Sequence, residues 1–226
     1  MKRFAVLLTV FLMVFWFASC TEEKTAENEV VVTVNGEAVT QQEIDYFKGK
    51  FKAEVLNDYI EKYSVEYTED FWQTEFDGKT PEDTLYEKAF EESIMVKLQF
   101  AAMREEGIYD DITFEGLREK AESFNAENEN KEGVVGIKSI KMSQFYTYYF
   151  QNGVMELKNI YAEGKLKPTE EEIKNKIKEM SYEFTSSSES VTPEDYESVA
   201  ADKLKTEKYD QYFKEIREKA EIKEVS

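Results

Sequence analysis

The stretch that decides the fold is Val30–Phe47, VVVTVNGEAVTQQEIDYF. The valines and threonine before Asn35 favour a short strand, because β-branched side chains suit an extended, pleated backbone. Asn35-Gly36 is the strongest short turn signal in the chain, since both residues tolerate positive φ. Glu37 to Val39 can form a second short strand. Thr40 then opens a helix, with Glu43 three positions on. That is a capping box, in which the Thr hydroxyl and the Glu carboxylate each satisfy a free backbone N–H. Ile44, Phe47 and Phe51 follow at helical spacing.

Outward from this unit the chain reads as helices. The first runs from Thr40 to about Tyr63, with Ile44, Phe47, Phe51, Val55, Tyr59 and Tyr63 on one stripe. Thr68 to Phe76 reads as a short helix ended by Asp77-Gly78. Thr80-Pro81-Glu82-Asp83 starts the next, with an N-cap, proline at the first helical position and acids where the dipole favours them. It reaches Glu106 and is stopped by Gly107. Its wide apolar arc (Leu85, Ala89, Phe90, Ile94, Leu98, Ala101, Ala102) makes it the expected central helix. A helix opened by Asp111 or Thr113 passes through Leu117, Ala121 and Phe124, and Gly133 to Gly136 breaks the chain. Ser143 to about Tyr161 forms an aromatic-rich helix. Thr169 and Glu172 make another capping box, for a helix to about Met180. Thr192-Pro193-Glu194-Asp195 opens the last, along Tyr196, Ala200, Leu204, Tyr212, Ile216 and Ala220, with Val199 and Phe213 beside them. Ile222 and Val225 then allow a brief strand, for which Val30–Val34 is the obvious mate. The expected fold is mostly α, with a small β element joining the N- and C-terminal strands.

Composition removes several function classes. The 226 residues are 41% hydrophobic and 34% charged, so the chain can bury a core. Its formal charge of −19 repels phosphate backbones and anionic lipid, so nucleic acid is not an expected partner. There is no histidine and a single cysteine. Ser-His-Asp and Cys-His catalysis, His-ligated zinc, thiolate clusters and internal disulfides are therefore excluded. Adjacent carboxylates such as Asp110-Asp111 are expected by chance among 48 acids. No Asp-rich calcium loop occurs, and Gly133–Gly136 lacks the Lys-Ser/Thr of a phosphate loop. No enzyme, cofactor or metal is expected.

At the N-terminus, Lys2 and Arg3 precede an apolar run, Phe4–Ala18, which fits the hydrophobic region of an export signal and is short for a membrane span. Phe17-Ala18-Ser19-Cys20 looks like a bacterial lipobox, with Phe17 where such motifs usually carry an aliphatic residue. The resemblance implies lipidation of Cys20 after removal of residues 1–19. Two or more acyl chains, at about 0.8 kcal/mol per buried CH₂, would anchor the protein stably. Residues 20–29 read as a flexible tether, and 30–226 as the folded domain.

Three blocks carry a wider resemblance: VNGEAVTQQEIDYF (Val34–Phe47), LKPTEEEIKNKIKE (Leu166–Glu179) and KYDQYFKEIREKAEIKEV (Lys208–Val225). In this order they resemble the SurA/PrsA-type chaperone (foldase) lipoproteins, in their N-terminal-type domain. In that family the helix opened by the Pro-Thr-Glu-Glu-Glu motif leads into a parvulin peptidyl-prolyl isomerase domain. Here only the polar, Ser-rich linker 181–192 occupies that place, and the histidines of the isomerase site are absent. The resemblance thus implies a multi-helix SurA N-terminal-like domain without isomerase activity. Its implied role is a membrane-anchored holdase for non-native exported polypeptides, on the extracytoplasmic face of the cell membrane, or the periplasmic side where the host has two membranes. The alternative is an envelope lipoprotein that binds one specific folded partner. Homodimerisation is left open. Candidate peptide contacts are the aromatic residues Phe71, Trp72, Phe76, Tyr146, Tyr149 and Phe150, which exceed what a single core face requires.

Overall fold

The computed structural model describes residues 29–129, 139–180 and 193–225. The signal and lipobox with Cys20, most of the tether, the Gly133–Gly136 break and the 181–192 linker lie outside the described residues. What is described is mostly helical with a small antiparallel sheet. Strands β1 (Val30–Val34) and β2 (Glu37–Thr40) form a hairpin around Asn35 (φ 51°) and Gly36 (φ 88°). Strand β3 (Ile222–Glu224) adds to the other side of β1, giving the order β2-β1-β3. Thr33 stands opposite Ala38 on one side and Lys223 on the other. The Asn35 side chain accepts a 2.8 Å hydrogen bond from the Glu221 amide, so the turn residue also fixes the entry to β3.

Six helices are described: α1 (Gln41–Tyr63), α2 (Pro81–Glu105), α3 (Phe114–Glu129), α4 (Met142–Glu163), α5 (Glu170–Glu179) and α6 (Pro193–Lys219). The expected capping boxes of α1 and α5 are formed, by Thr40 with Glu43 and Thr169 with Glu172. Thr80 and Asp83 make another at α2. α2 is the hub: α1 lies along it, and α4, α6, β1 and β2 pack against it. Val32, Val34, Ile44, Phe47, Phe100 and Phe213 are among the fully buried side chains of this main core. Each stabilises the fold by about 1.5–3 kcal/mol before entropic costs.

Two smaller clusters lie apart from that core. At the far end of the α1–α2 hairpin, Val55, Tyr59, Phe71, Trp72 and Leu85 bury one another. On the other excursion, Met180 and Ala200 join α5 to the start of α6.

Three features differ from the sequence reading. Only Phe71–Gln73 of the Thr68–Phe76 segment is helical, as a single 3₁₀ turn. Phe71, Trp72 and Phe76 all turn under the hairpin, which no regular helix face could arrange. Asp77 (φ 52°) and Gly78 (φ 84°) then reverse the chain, so that Phe76 and Lys79 pair across a tight turn. On α6 the buried stripe is Ala200, Leu204, Tyr209 and Phe213, with Tyr212 only half-buried. Glu43, read only as a capping acid, is buried and pairs with the equally buried Lys97 of α2 at 2.6 Å. Its second oxygen accepts from the Thr40 amide at 2.9 Å. One carboxylate thus fastens both the start of α1 and the hub helix. Removing either partner strands the other charge in a dry site, at a cost of about 3–5 kcal/mol.

Candidate functional site

The site is a groove between α1 and α4. α1 contributes Tyr46, Gly49 and Lys50, at the i, i+3, i+4 spacing that places three residues on one helix face. α4 answers with Ser143, Gln144, Thr147, Tyr148 and Gln151, also one face. The volume between them is about 710 Å³, within the usual range for a ligand cleft. At the base, the Tyr46 hydroxyl donates to the Ser143 carbonyl at 3.3 Å and lies 2.8 Å from Thr147 Oγ1. These bonds hold the two helices at a fixed distance while the Tyr46 ring stays half-exposed. Tyr148 stands on the opposite wall with 62% of its surface in solvent. The Lys50 ammonium lies 5.5 Å from the Phe47 ring centroid and 3.4 Å from Glu92.

Two glycines, both inside helices, set the character of this region. Gly153 of α4 is required by packing: a Cβ there would meet Met103 Sδ at 2.6 Å and Tyr109 Cε2 at 2.6 Å. Gly49 of α1 is the opposite. A Cβ there would meet nothing within 4 Å. A glycine inside a helix costs about 0.5–1 kcal/mol relative to alanine. At Gly49 the protein's own packing supplies no reason for it. What the missing side chain does is leave the groove open down to the backbone of α1.

Neighbouring tyrosines hold the α4 wall. Burial pushes the Tyr109 hydroxyl up to about 12, so it stays a proton donor, to the Tyr149 carbonyl at 2.7 Å. The Tyr109 and Tyr149 rings stack at 3.9 Å. Tyr146 is wholly enclosed, and burial, with the Glu43 carboxylate nearby, raises its hydroxyl well above the ordinary range. Tyr109 and Tyr146 therefore stay neutral near neutral pH.

The sequence-predicted contacts fare unevenly. Phe71, Trp72 and Tyr146 are buried and offer no surface to a peptide. The first two are the small core of the hairpin tip, and Tyr146 packs among Tyr46, Phe47, Phe100 and Phe114. Phe76, Tyr149 and Phe150 are half-buried, and none lines the α1–α4 groove. The aromatic that does line it on α4 is Tyr148, which the sequence reading passed over together with Tyr46, Gly49 and Lys50. A signal was present: Gln144, Thr147, Tyr148 and Gln151 form a mixed polar stripe that marks the outward face of α4, and Gly49 interrupts an otherwise uniform helix. Cys20 lies outside the described residues.

No helix among the described residues is long and apolar enough to cross a membrane. Comparison of the chain with known protein families, with curated proteins and with solved structures finds no match.

Proposed function

We propose that this chain is an extracytoplasmic chaperone of the SurA/PrsA type without an isomerase domain, anchored through lipidated Cys20, which holds short non-native segments of exported proteins in the α1–α4 groove. The observation that carries the reading is Gly49. Its lost helix stability has no return among the described residues, and close approach of another backbone is the ordinary use of such a position. The exposed ring of Tyr148 and the half-exposed ring of Tyr46 supply apolar contact. The hydroxyls and carboxamides around them match the N–H and C=O groups of an extended peptide. Burying apolar surface there is worth about 25 cal/mol per Å² in gross terms. Ordering the bound segment cancels much of this, at about 1–2 kcal/mol per residue. The balance is weak and reversible, as a holdase requires, and the step makes or breaks no covalent bond.

The test uses the full chain in mild detergent, with two unrelated unfolded proteins at equal molar ratio, and measures the fraction of each that sediments. Protection of both is expected. Gly49→Leu, which puts a side chain into the groove without touching the core, should keep its circular dichroism and lose most of the protection. Protection of neither protein would sink the general-holdase reading and leave a single dedicated envelope partner in its place.

A further inference from the structure

We propose that the groove continues along α4 to α6 as one track, and that its occupant is an extended segment of about six residues that carries apolar side chains and no net positive charge. The inference rests on the groove being a peptide site and adds the length and charge of what it takes. A second hollow, of about 300 Å³, is lined by Phe150, Gln151, Val154, Met155, Lys158 and Lys205. Gln151 lines both hollows, so they adjoin. Its carboxamide makes no hydrogen bond among the described residues and stands free at the junction. Met155, two helical turns beyond Tyr148, has 61% of its surface exposed. Tyr148 and Met155 are thus apolar anchors on one face of α4, one for each hollow.

The length follows from helix geometry. From Gln144 to Lys158 the α4 axis advances about 21 Å at about 1.5 Å per residue. An extended chain covers that distance in about six residues at about 3.3–3.6 Å each.

The charge follows from what lines the track. With 48 acidic residues against 29 basic ones, carboxylates should be common on any surface of this chain. Among the described residues none lines either hollow, whereas Lys50, Lys158 and Lys205 do. Their ion pairs leave donors to spare. Lys50 lies 3.4 Å from Glu92, and Lys158 lies 4.0 Å from Asp210. Lys205 is the best satisfied, at 2.8 Å from Asp202 and 3.2 Å from the Asn159 side-chain oxygen. Each ammonium has three N–H groups. Overall acidity would by itself favour basic occupants. The track has the reverse local chemistry, suited to neutral or acidic segments.

Three fluorescent hexapeptides test this, sharing four apolar residues and carrying Gln, Glu or Lys at the other two positions. Their anisotropy is titrated with the full chain in mild detergent. The Gln and Glu peptides should bind at least five-fold tighter than the Lys peptide. Lys158→Glu combined with Lys205→Glu should remove or reverse that preference. Met155→Ser, at an exposed position, should weaken the Gln hexapeptide several-fold and leave a tripeptide that fills only the first hollow unchanged. Equal or tighter binding of the Lys peptide, or a Met155→Ser variant with undiminished hexapeptide affinity, would overturn the proposal and leave the groove reading standing. Binding of none of the peptides would overturn both.

Discussion

The two excursions from the main body are held by different physics. The tip of the α1–α2 hairpin has an aromatic core of its own: Tyr59, Phe71 and Phe76 lie within 6.4 Å of one another by ring centroid, and Trp72 packs edge-on against Phe71. The α5–α6 arm has a smaller apolar contact, to which Ile173, Ile177 and Tyr196 add partly buried side chains. Met180 and Ala200 are its buried pair among the described residues, and ion pairs add to the joining, from Lys208 to Glu172 and from Lys176 to Glu207. Apolar burial is not screened by salt, whereas the partly exposed Lys208–Glu172 pair contributes about 0–1 kcal/mol and is screened. The tip is thus built to keep its shape, and the arm to open locally at small cost.

The largest expected effect that tests this contrast is Phe71→Ala. Emptying a site with 1% exposure should cost about 3–5 kcal/mol. Because that cluster is separate from the main core, hydrogen exchange should rise around Tyr59 and Leu85 well before it rises in the sheet. Equal loss of protection everywhere would show that tip and body are one cooperative unit. Met180→Ala should cost less, about 2 kcal/mol, the lower end for truncating a buried methionine. Its exchange signature should be confined to α5 and the first turns of α6.

Acid separates the two regions next. Glu172 is held down to about 2, first by its bond from Lys208 and then by the Thr169 amide and hydroxyl. A carboxylate depressed in the folded state contributes stability that is present above its unfolded value, near 4.3, and is lost as pH falls through about 2. The share of α5 protection that Glu172 supplies should therefore hold at pH 5, decline from about pH 4, and be lost near pH 2. Raising salt at neutral pH should loosen the arm in the same sense. An arm whose exchange ignores both acid and salt would remove the distinction. The smallest effect belongs to Gly49→Ala, which should raise stability by about 0.5–1 kcal/mol through α1 alone, with exchange at Phe71 and Trp72 unchanged.

What could be read from the sequence was local grammar. Thr40 with Glu43 and Thr169 with Glu172 announce helix starts because both partners lie within one turn. The β1–β3 pairing was legible for another reason: the brief strand at Ile222–Val225 had one obvious mate, the Val30–Val34 run. The phase of α4 was not legible. Phe145, Tyr146, Tyr148, Tyr149 and Phe150 are all aromatic, so periodicity had no contrast with which to tell Tyr146, enclosed, from Tyr148, exposed. The Glu43–Lys97 pair was hidden because its partners come from different helices and neither residue type announces burial. Phe71 and Trp72 were taken for contacts because an aromatic cluster in a loop looks the same whether it covers a hairpin end or faces a client.

The position of β1 at the centre of the sheet has a consequence for the order of assembly. One of its neighbours is made at once, across the Asn35-Gly36 turn. The other arrives far later: Asn35 and Glu221, which meet at the sheet, are 186 residues apart in sequence. A chain made from its N-terminus therefore carries β1 with one unpaired edge through the synthesis of every described helix. Closing so long a loop is slow, because its entropy is lost before the contacts that repay it exist. The sheet is then the last part to become native, and a chain that stops between the end of α6 and β3 would leave an open β1 edge able to pair with other chains.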